Sequence, residues 1–539
     1  MGHITLPHVV LATAAVAYFL SRRFAYPFFA TVVITESLAV FVYVVGWLSW
    51  LYPTYFSELR HVPTVPGFPL WGQFFTVITQ ECGVPLRQWH QEHGPVIRYF
   101  FPFGSERLSV ADDEALKQMT IRNSYNYPKP QRIRLWMSRV LGDRGVLLAE
   151  GQDHVHQRKS LAPGFSTQSI RDLAPVFWSK SLLLASCWQK EMHATGALTK
   201  SFEVLEWLNR TTLDIIGQAG FGYDINSLEQ PETPIREAYR LVFAFDVWSR
   251  ILHGLQAYIP STVYIPVKMN HDIDISRRII VDKATEIIQG KDLEAKEGHG
   301  GKDIIALIAR DNRKRLADGE MGLSFETMRD QIMTFLGAGH DTTATGVAWT
   351  LHLLSVHTEI QTRLREEIRS YLPFLFDPDT RFDPASLNTA DHDRLPYLDK
   401  VCRESLRFIP PIPMTVRQSL EDDTLGGYHV PGGTILYIHS NVINRMPVYW
   451  GNDADKFDPD RWDNLPEGWT NSAFMTFLQG PRGCIGRKFA ETEMKVLLCC
   501  LLSMYEFKRD ESTADPAEWK MWRLVLRPKD GVSLQVTAL

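Results

Sequence analysis

The chain has 539 residues, of which 45% are hydrophobic and 22% charged, with a net charge of −5. That balance belongs to a folded globular protein and excludes disorder as the default reading. Its charges are scattered, with no basic block or basic-aromatic stripe, so nucleic acid is not an expected partner. Six cysteines (Cys82, Cys187, Cys402, Cys484, Cys499 and Cys500) are too sparse for a disulfide framework, and none stands in a C-x-x-C pair suited to zinc or an iron–sulfur cluster. A reducing compartment fits best.

In chain order, two apolar stretches come first: Leu6 to Leu20, ended by Arg22 and Arg23, and Phe28 to Leu51, followed by Arg60. A membrane span needs about 20 apolar residues. The second stretch meets this and carries Trp47, Trp50 and Tyr52 at one end, where an aromatic belt would sit, although Glu36 inside it is costly unless paired or interfacial. It is the expected main anchor. The first is a marginal span, an interfacial helix or a signal-like segment, so one or two helices anchor residues 1–60; a buried core hairpin is the competing reading. HVPTVPGFPLWG (61–72) then reads as a stiff hinge, because its prolines favour an extended backbone. No linker or repeat divides the remainder, so residues 73–539 are expected to form one large body.

Within that body amphipathic helical patterns dominate: Ile170 to Gln189, Phe202 to Gln218, Met328 to His357 and Gly486 to Met504. Strand-like runs are short: Pro95 to Phe101, Thr434 to Ser440 and Val532 to Ala538. The expected class is mainly α with small β-sheets. Ala238 to Pro266 is richer in aromatic and aliphatic residues than one helix face requires, which fits core packing first and lipid contact second. Cys499 and Cys500, inside MKVLLCCLLSMYEF, read as small core residues.

In FMTFLQGPRGCIGRKF, Gly480, Pro481 and Gly483 make a side-chain-poor loop directly before a long helix. Cys484 is thereby set beside a helix N-terminus, where the dipole, loop amides and Arg482 favour a thiolate and the glycines admit a flat macrocycle. Alone, such a loop would more often be a turn with a small residue in it. Phe477, Gly480, Arg482, Cys484 and Gly486, however, reproduce F-x-x-G-x-R-x-C-x-G without a mismatch, GAGHDTT and RESLR precede it, and DPDRW lies between. In these motifs, and from PGFPLWG to the terminal LRPKDGVSLQV, the chain resembles the cytochrome P-450 superfamily, in particular its membrane-bound microsomal fungal members.

The resemblance implies haem b (iron protoporphyrin IX) with Cys484 as axial iron ligand, and Phe477 in the haem loop. Arg158, Arg417 and Arg482 would hold the propionates, with His154 a secondary donor where many relatives carry tryptophan. Asp341 and Thr342 would be the acid and alcohol that relay protons during dioxygen activation, on a helix opened by small residues and a local kink. In isolation, hydroxyls in mid-helix more often bond back to the backbone. Glu404, Arg407 and Arg461 would form a buried structural triad; without the resemblance, Glu404 and Arg407 would read as a surface pair worth about 0–1 kcal/mol. By position, Phe243, Phe245, Phe335, Ala338, Met414, Val416 and Trp522 would line the substrate pocket.

With no nucleotide-binding motif or second cofactor module, electrons are expected from NADPH through a separate cytochrome P-450 reductase, with cytochrome b5 as a further donor. Lys159, Arg487 and Lys488 are candidates for the docking surface. The expected activity is oxidation, most commonly hydroxylation, of a lipophilic small molecule such as a terpenoid or polyketide intermediate of fungal secondary metabolism. The enzyme would sit on the endoplasmic reticulum membrane, facing the cytosol. A reductase-independent isomerase, dehydratase or peroxygenase, and more remotely a haem sensor, are the competing functions.

Overall fold

A computed structural model describes residues 6–24, 27–68, 70–242, 252, 256, 259–296, 301–377, 394–515, 520–522, 525–528 and 530–539. These form two compact units, residues 1–119 with 416–439, and residues 120–415 with 440–539. The class is mainly helical with small sheets, as the periodicities indicate.

The first unit opens with helices Leu6–Phe24 and Phe28–Phe41, the latter continuing as a wider-turned π-helix over Val42–Phe56. Its sheet has the order 96–101, 105–110, 435–438, 415–418. The first two strands pair antiparallel with Val96 opposite Val110, and the next pair is parallel with Leu108 opposite Leu436. The hairpin is short because Phe103 and Gly104 both take positive φ, and the Gly104 backbone lies against Leu48 and Ser49, where a side chain would collide. The proline-rich stretch runs extended and is fastened to strand Val96–Phe101: Val65 N–H donates to Arg98 O at 2.8 Å and Arg98 N–H to Pro63 O at 2.7 Å.

The second unit is built around helix Phe325–Val356, 32 residues and about 48 Å long. Ser324 caps it by accepting from the Thr327 amide, as the serine-first pattern of SFET favours. Helices Val204–Ile215, Pro396–Phe408 and Arg487–Met504 pack on it, and Trp178, Trp188, Trp349 and Trp450 fill the unit's interior. A three-stranded antiparallel sheet (199–203, 533–538, 505–509) and a two-stranded one (520–522, 526–528) complete it.

Two expected helices begin later than their hydrophobic patterns. Ile170 to Gln189 is divided into Thr167–Asp172 and Ala174–Thr195, because Pro175 has no amide to continue the earlier helix and favours a new first turn. The pattern from Phe202 begins as strand Thr199–Glu203, becomes helical at Val204 and ends in a π-turn at Ile216–Gly220. Helical hydrogen bonding runs unbroken through Gly337–Gly339, where a local kink was expected. Cys499 and Cys500 are wholly buried, and all six cysteines are free thiols. Of 238–266, residues 243–251, 253–255 and 257–258 lie outside the described residues; Tyr264, at 86% exposure, and nearby Ile265 and Val267 face outward.

A buried histidine gives the first unit a defined acid sensitivity. His90 shares hydrogen bonds with the Gly94 carbonyl (Nδ1, 2.9 Å) and the Ser109 hydroxyl (Nε2, 2.8 Å), so a neutral ring donating from Nδ1 and accepting at Nε2 is fully satisfied. Burial lowers its pKa from 6.5 to about 4, opposed only by the Gly94 bond. The folded form thus binds fewer protons than the unfolded form. His90 contributes its full stability above about pH 6.5, and loses it as pH falls towards about 4, roughly 3 kcal/mol in all. Urea midpoints measured between pH 7.5 and 4 should show this loss, and His90→Asn should flatten it.

Candidate active site

Cys484 lies on a loop whose shape follows from its glycines. Gly480 has φ +67°, and a Cβ there would run into the Thr120 carbonyl, so only glycine fits. The Gly483 amide donates to Gly480 O at 3.0 Å and the Cys484 amide to Phe477 O at 2.8 Å, curling the chain into helix Arg487–Met504. Burial pushes the Cys484 thiol up, while the Gly486 amide, Arg158 and Arg487 draw it down. Yet the residue keeps an exposed surface. The sulfur is thus hemmed in by protein while part of the residue's surface stays uncovered.

Helix Phe325–Val356 opens in the same manner at one turn. Leu336, Gly337, His340 and Asp341 are buried, whereas Ala338 is exposed and Gly339 and Thr342 are half-buried. Positions 338, 339 and 342 share one face. Thr342 donates to Ala338 O at 2.9 Å, the back-bond expected of a mid-helix hydroxyl, and its lone pairs remain able to accept. Asp341, 2% exposed, forms an ion pair with Arg527 from the two-stranded sheet.

The cations are arranged differently from the sequence expectation in one respect. Arg158, from helix Gly151–Leu161, donates to Gly483 O at 2.8 Å and is the side-chain cation that acts most on the thiol. Arg482, expected to stabilise the thiolate, instead turns away: it pairs with Glu150, donates to Ser124 O at 3.2 Å and lies over the Tyr125 ring at 5.0 Å. Its Nη1 is buried without a hydrogen-bond partner among the described residues. His154 is buried and shares a 3.0 Å hydrogen bond with the Tyr125 hydroxyl. Arg417 is buried in the other unit and donates to Val416 O at 2.9 Å.

Glu404 and Arg407 are wholly buried and Arg461 nearly so. Arg407 grips Glu404 with two bonds of 2.8 and 2.7 Å, and Arg461 reaches the same carboxylate at 3.4 Å and Asp453 at 2.7 Å. The network continues through Asn444, whose backbone carbonyl accepts from Arg407 and whose side chain binds the Met475 amide and Thr476 hydroxyl at 2.8 Å each. The next residue, Phe477, supplies the carbonyl that holds the Cys484 amide. Buried charge is thus connected to the cysteine loop by an unbroken series of hydrogen bonds.

Among the expected pocket residues, Ala338 is exposed, Met414 and Val416 are half-buried, and Phe335 is buried with its ring edge-on to Phe165 at 5.2 Å. Phe335 therefore serves packing as well as any lining role. Phe243 and Phe245 lie outside the described residues; Trp522 is on a strand, with its side chain outside them. Sequence reasoning missed Tyr125, Asn444, Arg527 and Glu493. Glu493 is wholly buried on the helix after the cysteine, and burial pushes its carboxyl well above the ordinary range against the opposing influence of Thr343.

The family model for Cytochrome P-450 matches residues 62–536. The chain belongs to the cytochrome P-450 family. It is 34% identical to cytochrome P-450 monooxygenase sphH of Aspergillus fumigatus, with 90% of each chain covered. It is 31% identical to cytochrome P-450 monooxygenase ALT8 of Alternaria alternata over 92% of each, and 32% identical to cytochrome P-450 monooxygenase FUM15 of Gibberella moniliformis over 87% of this chain and 86% of that one. It is a cytochrome P-450 monooxygenase with relatives in fungi, and the family implies haem. The residues present fit that group: an accessible interior thiol on a glycine loop, a helix turn bared at Ala338, and an orphaned guanidinium nitrogen on Arg482 suited to an anionic edge.

Removing the carboxylate from the triad would strand two buried guanidiniums. Glu404→Ala should destabilise the protein by about 3–5 kcal/mol in urea unfolding. Haem content per folded chain should fall with it, because Asn444 and the loop lose their shared anchor.

Proposed function

We propose that this cytochrome P-450 is a membrane-anchored haem-thiolate enzyme that oxidises, most commonly by hydroxylation, a lipophilic small molecule, using dioxygen and two electrons from NADPH through a separate reductase. The observation that carries the reading is the desolvated yet accessible Cys484 on its glycine-built loop. Haem, when bound, supplies the redox-active iron at which dioxygen is reduced. Cys484 Sγ would ligate its iron; the Cys484 amide donates to the Phe477 carbonyl, and the Gly486 amide reaches the sulfur. Arg482 Nη1 and Arg158 would hold the propionates, and His154 would act through Tyr125, which flanks Arg482.

Asp341 would be the proton source, and Thr342 Oγ1, at the bared turn, would pass the proton on. Arg527 is a positioning residue: it holds the Asp341 carboxylate until the acid is needed. The acid and alcohol favour dioxygen activation over the isomerase, dehydratase or peroxygenase alternatives. Lys159, next to Arg158, and Arg487 and Lys488, directly after the cysteine loop, are exposed and present cations to an acidic flavoprotein, although Arg487 also pairs with Glu491 at 2.7 Å. Cytochrome b5 would use the same surface.

An N-terminal helix over Phe28–Phe56 with mean hydropathy 2.1 supports attachment to the endoplasmic reticulum with the body in the cytosol. The bared Ala338 and the aromatic pair Phe165–Phe335 favour an apolar ligand. With relatives in fungi, a terpenoid or polyketide intermediate is the class to screen first.

The full chain in detergent, reduced with dithionite and exposed to carbon monoxide, should show a strongly red-shifted Soret band that Cys484→Ala abolishes. A parent that binds no haem, or a shifted band that survives the substitution, overturns the ligand assignment. With reductase supplied, Asp341→Asn should lower product formation about 10²-fold or more with the carbon monoxide spectrum intact. Arg527→Ala should shift the product-to-peroxide ratio in the same direction by a smaller factor, and Arg527→Lys should restore part of it.

A further inference from the structure

The first two helices pack with a residue distribution opposite to that of a water-soluble hairpin. Thr13 lies beside Glu36 and Tyr18 beside Phe28, so the helices run antiparallel. Among the described side chains, the covered positions of the first are Thr13, Ala17, Leu20 and Ser21; those of the second, up to Phe41, are Thr31, Val32, Thr35, Glu36 and Ala39. Each set falls on one helix face. Small and hydroxyl-bearing residues thus meet in the seam, while Leu11, Phe19, Phe29, Ile34 and Phe41 are more than half exposed around it. In water such an arrangement leaves the large apolar surface uncovered; in hydrocarbon it is the favourable one, since close approach of small residues and interhelical hydrogen bonds drive association there.

Depth agrees with this. The first helix has 19 residues, about 28 Å, close to the thickness of a thin bilayer core. The second is taken over by protein from about Leu48: the Gly104 backbone lies against Leu48 and Ser49, and Arg98 donates to Pro53 O at 3.1 Å. Phe28 to Gly46 is what remains for lipid, a length matching the first helix. Glu36 then falls near mid-depth, where an unpartnered carboxylate is costly, and Thr13 Oγ1 donates to it at 2.9 Å from the equivalent depth of the neighbouring helix.

We infer that both helices cross the bilayer together as a hairpin, joined at mid-depth by Thr13 and Glu36, so that the start of the first and the end of the second emerge on the same side. Arg22 and Arg23, at the turn, reach headgroups on the other side. The inference rests on the reading of this chain as membrane-anchored. A single-span anchor would place the start of the first helix on the opposite side.

The test uses the full chain with one epitope fused ahead of Met1 and another after Leu539, in sealed microsomes treated with protease and, separately, with alkaline carbonate. A hairpin predicts that both epitopes share one fate towards protease and that the protein stays in the carbonate pellet. One epitope digested and the other protected until detergent is added, with the protein still in the pellet, overturns the hairpin and leaves the anchor. Release by carbonate overturns both.

Discussion

Burial raises the Cys484 thiol while the Gly486 amide, Arg158 and Arg487 lower it, and the site depends on how that opposition is balanced. A sulfur in the dry interior prefers its proton, whereas a metal ligand must be a thiolate. The protein's own charges oppose the penalty only in part, and a cation bound at the sulfur would complete what they begin. The loop's form follows from this requirement. Backbone amides must reach the sulfur without side chains intervening, and the left-handed backbone at Gly480 brings the chain against Thr120 so that they do.

A second consequence concerns charge kept away from the sulfur. Glu404, Arg407 and Arg461 satisfy one another and a set of backbone carbonyls, so they are stiff and electrically quiet. Asp341 is answered by a single guanidinium at the edge of a small sheet, which leaves it easier to release. Glu493 has no cation among the groups that shift it, and burial keeps it protonated. Three acids in one body thus occupy three electrostatic situations.

What the sequence revealed follows from how locally each feature is encoded. The cysteine loop, the helix bearing Asp341 and Thr342, and Glu404 with Arg407 each lie within one short run, so residue type and spacing disclose them. Tyr125, Asn444 and Arg527 work through partners on remote segments. Arg527 meets Asp341 across 186 residues, and nothing around LRP marks it. Glu493 reads as a solvent-facing residue of an amphipathic helix until the fold buries it. The division of Ile170 to Gln189 was legible in Pro175; the strand start at Thr199 was not, because its partner is the far C-terminal strand. Arg482's turn towards Glu150 likewise depends on a residue distant in sequence.

The carbonyls gathered by the buried arginines carry a consequence for how this enzyme can diversify. Arg407 receives the oxygens of Asn444, Ala454 and Lys456, and Arg461 those of Trp450 and Asp453. Five oxygens within thirteen residues must therefore point at two fixed forks. One inserted or deleted residue between Asn444 and Lys456 would move some of them out of reach at once. That segment acts as a ruler whose length is set by guanidinium geometry: apart from the Asn444 and Asp453 side chains, it is the residue count that the forks constrain.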